Sequence, residues 1–66
     1  MSVLKLTLHL DEHGLATGGG WCYENPPGSV VAAAAFPAWP EPLVADTGTD
    51  FLIQDWLDNC GHQLAF

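Results

Sequence analysis

The sequence contains no arginine and a single lysine, Lys5, against eight carboxylates: Asp11, Glu12, Glu24, Glu41, Asp46, Asp50, Asp55 and Asp58. The formal net charge is −7. Nucleic acid and anionic membranes need Lys or Arg to neutralise phosphate, so direct binding to either is not expected. An acidic surface instead attracts basic proteins and speeds encounter with them. Solubility alone is a blander reason for acidity, but a mixed surface of both signs serves that end equally well.

Other absences narrow the reading further. No apolar run approaches the roughly 20 residues that cross a bilayer. The opening MSVLKLTLHL alternates and lacks a cleavage site, so the expectation is a cytoplasmic protein without a membrane. Cys22 and Cys60 are the only cysteines, and in that compartment they are expected as thiols, although a bridge between them stays open. The phosphate loop, dinucleotide fingerprint and nucleophile elbow are all missing. Cys60-x-His62 is the only close Cys–His pair, and with His9 and His13 it matches no common zinc spacing. No catalytic, metal or cofactor residue is therefore assigned. Asp46-Thr47-Gly48 matches the triplet of aspartic proteases, but here it runs into a helix and reads as capping chemistry.

What is present suffices to fold. The chain has 66 residues, 48% of them hydrophobic, with three Trp, one Tyr and three Phe. That is too apolar for a disordered chain, yet small enough that only about 60% of the unfolded surface is buried and the core is thin. Leu4, Leu6, Leu8 and Leu10 alternate with Lys5, Thr7 and His9, the period of a strand with one buried face, predicted over about residues 2–11. Asp11-Glu12-His13-Gly14 reads as a tight turn with Gly14 at positive φ. A second strand follows over 15–24, with Gly18-Gly19-Gly20 favouring a bulge or bend. Trp21 and Tyr23 share one face and Cys22 the other. Pro27-Gly28 suits the centre of a type II turn. SVVAAAAF (29–36) is predicted as a third strand, its small side chains letting a helix pack close. Residues 37–48 form a loop, extended through PAWPEP and carrying Trp39.

One helix is predicted over about 50–60, capped by Thr47 or Thr49 and ended by Gly61. At about 100° per residue, Leu52, Ile53, Trp56, Leu57 and Cys60 gather on one face. Asp50, Gln54, Asp55, Asp58 and Asn59 gather on the other. The tail at 62–66 is expected to edge the sheet. The fold class is α+β: a single domain over 1–66, with a three-stranded antiparallel sheet packed against one C-terminal helix.

The binding features are the helix carboxylates Asp50, Asp55 and Asp58, with Asp11, Glu12 and Glu24 extending the acidic patch. Phe51 falls in the polar sector, where an aromatic ringed by carboxylates has the form of an interface hot spot. Packing back on Leu43 or Val44 as a staple accounts for it equally. Trp39 is likewise open, as core cover or as a rigid anchor for a partner. The Asp11-Glu12 pair sits at a hairpin tip, where exposed residues often serve function.

A chain this short, acidic and arginine-free, with a hairpin LKLTLHLDEHG and one acidic helix, resembles the anti-CRISPR proteins. These are small inhibitors encoded by phages and mobile elements, and the likeness is to those acting on type I systems, with type I-C as the candidate subtype. It lies in size and charge over the whole chain and carries no catalytic signature. The resemblance implies a non-enzymatic inhibitor in the bacterial host cell. Its partner would be a Cas subunit of the Cascade complex, whose nucleic-acid-recognising surface is basic. Duplex DNA carries a charge every 1.7 Å or so, far denser than this chain, so one local basic patch is the expected target. An acidic antitoxin-like or immunity-like protein neutralising a basic nuclease or toxin is the alternative.

Overall fold

The computed structural model describes residues 1–61. The elements run β1 (Val3–Leu10), β2 (Ala16–Glu24), β3 (Val30–Phe36) and α1 (Ala45–Cys60). The strands form one antiparallel sheet in the order β1-β2-β3, so each hairpin joins spatial neighbours. This is the α+β arrangement anticipated from the periodicity, with strand bounds within a residue of those expected. The tail at 62–66 lies outside the described residues.

Both hairpins are fixed by local chemistry. In the first, Asp11 Oδ1 accepts the N–H groups of His13 and Leu15 at 2.8 and 2.9 Å. Gly14 takes φ +77°, which a side chain would resist. In the second, the Ser29 N–H donates to Pro26 O at 2.9 Å, placing Pro27 and Gly28 at the centre, with Gly28 at φ +94°. That is the φ a type II turn requires at its third residue. The Asn25–Pro26 peptide is cis.

Opposite residues share a face, so the register Leu4↔Tyr23, Leu6↔Trp21 and Leu8↔Gly19 sets the inner surface. There Trp21, Tyr23, Leu52 and Cys60 form the buried cluster, flanked by Leu4, Leu8, Ala32, Ala34, Phe36, Trp39 and Trp56. The helix lies chiefly over β2, then β1. One helix of about 10 Å diameter cannot cover three strands spaced nearly 5 Å apart. Leu6 and Leu10, expected inside with the other leucines, are 38% and 56% exposed although β1 lies under the helix. A register shift between His9 and Leu10 also moves Leu10 out of line.

Four local expectations are corrected. The bulges fall between His9 and Leu10 and between Tyr23 and Glu24, away from the glycines. Gly18-Gly19-Gly20 instead marks close backbone approach: a Cβ on Gly18 would sit 2.5 Å from the Phe36 carbonyl oxygen, and one on Gly19 would overlap that of Thr7. The helix begins at Ala45, about five residues early, because nothing after Pro42 opposes it. Thr47 and Thr49 are thus inside it, Val44 holds the cap position without a side-chain bond, and the Thr49 hydroxyl donates back to Ala45 O at 2.9 Å. Gly48, taken as capping chemistry, is where helix meets sheet: its Cβ would stand 3.1 Å from that of Ala16 and 3.3 Å from Leu8 Cδ2. Gly61 ends the helix at φ −57°, still right-handed, so no left-handed cap forms.

Candidate functional site

The segment after β3 does not wander. The Trp39 N–H donates to Thr17 O at 2.8 Å, and Leu43 exchanges both backbone bonds with Ala16 at 2.6 and 2.8 Å. Pro37, Pro40 and Pro42 stiffen the chain between. Trp39 is held beside the first turns of α1, where Phe51 meets it. Their ring centroids are 5.4 Å apart at 76°, and Phe36 joins at 5.2 Å from Phe51 and 6.3 Å from Trp39. These are edge-on and tilted packings that aromatic quadrupoles favour. Phe51 is thereby part of an aromatic cluster. It packs on two rings and still leaves 42% of its surface to solvent. Trp39 is half-buried, and its indole N–H has no partner among the described residues.

The carboxylates divide into two groups. Asp11 is spent on its own turn. Asp55 Oδ2 accepts the Trp21 indole N–H at 2.7 Å, tying the helix to the sheet; this half-buried residue was expected on the free polar face. Glu24, expected in the exposed patch, is only 7% exposed. It accepts the Gly28 N–H at 2.8 Å and pairs with Lys5 at 3.0 Å. Those contacts, the Gly28 N–H first and then Lys5, hold its carboxyl below the ordinary value of 4.5 despite some opposing desolvation. The only lysine is thereby engaged with an internal acid.

Glu12, Glu41, Asp46, Asp50 and Asp58 remain exposed. Asp46, Asp50 and Asp58 lie at four-residue steps along the solvent face of α1, with Gln54 in the missing place and its amide 3.3 Å from Asp58. At 1.5 Å rise per residue the stripe spans about 18 Å. Asp46, read from the sequence only as part of the Asp-Thr-Gly triplet, joins the binding carboxylates because the helix begins before it. Leu57, expected in the core, shares this solvent face at 38% exposure. Phe51 borders the stripe beside Asp50, and Trp39, Pro40, Glu41, Leu43 and Phe51 together line a shallow groove. Glu12 stands apart at the hairpin tip, 3.5 Å from His13.

Among the described residues, no helix packs on the opposite face of the sheet. Lys5, Thr7, His9, Gly20, Cys22 and Ala35 line a second trough there. Cys22 and Cys60 are free thiols on opposite sides of the sheet, Cys60 being in the core. Among the described residues no three His, Cys, Asp or Glu side chains gather to hold a metal ion, and no helix is long and apolar enough to cross a membrane. No protein-family model matches this chain, and no curated protein or solved structure matches it either.

Proposed function

We propose that this protein is a non-enzymatic inhibitor that docks its acidic helix face on a basic, nucleic-acid-recognising protein surface and blocks DNA binding there. The observation that carries the reading is the stripe Asp46, Asp50 and Asp58, fully on the solvent side with no cation paired to it among the described residues. An acidic helix face beside half-exposed aromatics supplies both steering charge and apolar contact. The resemblance to anti-CRISPR proteins makes a type I CRISPR effector complex in a bacterial cytoplasm the partner class.

The charge density limits the mode. Over about 18 Å of axis a duplex presents roughly ten phosphates, whereas the stripe presents three carboxylates. The protein therefore competes for one local basic patch and does not imitate a length of DNA. The test is DNA binding by a purified type I effector complex, with and without this protein. Wild type should abolish binding. Reversal of Asp46, Asp50 and Asp58 to Lys should weaken inhibition at least about tenfold, as each like-charge juxtaposition is unfavourable. Unimpaired DNA binding with wild-type protein would overturn the reading.

A further inference from the structure

We propose that the groove between the 39–43 segment and Phe51 receives an arginine side chain of the basic partner, with Glu41 as its counter-ion. This rests on the functional reading above and locates its anchor.

The groove has apolar walls, Trp39, Pro40, Leu43 and Phe51, and one carboxylate, the exposed Glu41. At about 330 Å³ and open to solvent, it has room for one long side chain laid along its walls. Its shape is set before any partner arrives. Backbone bonds from Trp39 to Thr17 and between Leu43 and Ala16 pin both ends of the segment. The edge-on contacts of Phe51 with Phe36 and Trp39, and the tilted one between Phe36 and Trp39, fix the rings. Preorganisation of this kind lowers the ordering cost of binding.

Charge decides the occupant. An anion would meet Glu41 and the nearby Asp50 in a molecule already at −7. A purely aliphatic side chain would bury against the walls but strip water from Glu41 without a partner. An arginine satisfies every part. Its methylene stem lies on apolar surface, its weakly hydrated guanidinium stacks on aromatic rings, and its N–H fork matches a carboxylate. A second copy of this chain cannot supply the group, since it has no arginine and its lysine is paired with Glu24.

The test is a titration of the isolated protein with N-acetyl-arginine amide, followed by two-dimensional NMR. N-acetyl-citrulline amide, of matching shape but without charge, is the control. Arginine should shift the Trp39 indole N–H and the amides of residues 39–43 and 51, and citrulline should not. Glu41→Gln, at an exposed position, should weaken the response about fivefold, the upper range for an exposed ion pair. Equal shifts with citrulline, an unchanged response in Glu41→Gln, or shifts confined to Asp46, Asp50 and Asp58 would each overturn the proposal. In the effector assay, Glu41→Gln should also weaken inhibition. Inhibition lost on reversing the stripe but untouched by Glu41→Gln would sink the arginine groove and leave the proposed function standing. If wild type fails to inhibit, the function falls, and the titration still decides the groove.

Discussion

Asp55 is the residue at which binding and folding are most easily confused, and its removal gives a sharp test. The Asp55 carboxylate accepts the indole N–H of Trp21 at 2.7 Å, and Trp21 is 4% exposed. In Asp55→Ala a nearly buried donor loses its charged acceptor. Hydrogen bonds to charged groups contribute about 1.5–3 kcal/mol, and Asp55 is only half-buried, so a value near 2 kcal/mol is expected. For a domain of this size each kcal/mol lowers Tm by about 4–8 °C, which places the loss at about 8–16 °C. Asp58→Ala is the control. It removes the same charge from the same helix, and so relieves the same self-repulsion. Its residue is exposed, with one long contact to Gln54, so its effect should stay within about 0.5 kcal/mol. Thermal and urea unfolding followed by far-UV circular dichroism compares them directly. Stabilities of the two variants within 0.5 kcal/mol or so of each other would refute the reasoning. Should it hold, charge reversal at Asp55 cannot serve as a probe of partner binding, because it weakens the fold first.

Leu52→Ala should cost about 2–5 kcal/mol, since Leu52 is fully buried and touches the cluster under the helix. Domains of this length hold only about 3–10 kcal/mol in all, so urea unfolding should show a large loss, and a cost below 1 kcal/mol would contradict the core assignment. Gly18→Ala should destabilise by about 1–3 kcal/mol because its Cβ would meet two backbone oxygens that cannot step aside. Gly61→Ala, with nothing near its Cβ among the described residues and a right-handed φ, should be neutral or stabilising by up to about 1 kcal/mol, and the opposite order of the two in urea would overturn the glycine reading. Glu24 titrates lower in the folded chain, so its contribution is present above 4.5 and is lost as pH falls through the folded value. Glu24→Gln should therefore lose less stability than wild type on acidification across that window, and parallel pH profiles would remove the Gly28 and Lys5 contacts as its cause.

Periodicity and turn chemistry in the sequence determined the strands, both hairpins and the single helix. Alternating leucines, Gly14 and Pro27-Gly28 act within a few residues of themselves, so local sterics suffice to read them. The acidic balance and missing arginine were equally plain, and with them the class of partner that the proposed function invokes. The helix start was misjudged because Val44 caps it without a side-chain bond, and a cap without a side chain leaves no sequence signal. Beyond Asp11, which its own turn uses, tertiary contacts decided which carboxylates are free. Asp55 meets Trp21 across 34 positions, and Glu24 meets Lys5 across a strand pair, and neither spacing announces a contact. The groove of Trp39, Glu41 and Phe51 arises the same way. Residues 39–43 are held against Ala16 and Thr17 and only then face the helix. Side-chain chemistry is written in the chain; which groups remain for a partner depends on which the fold has already used.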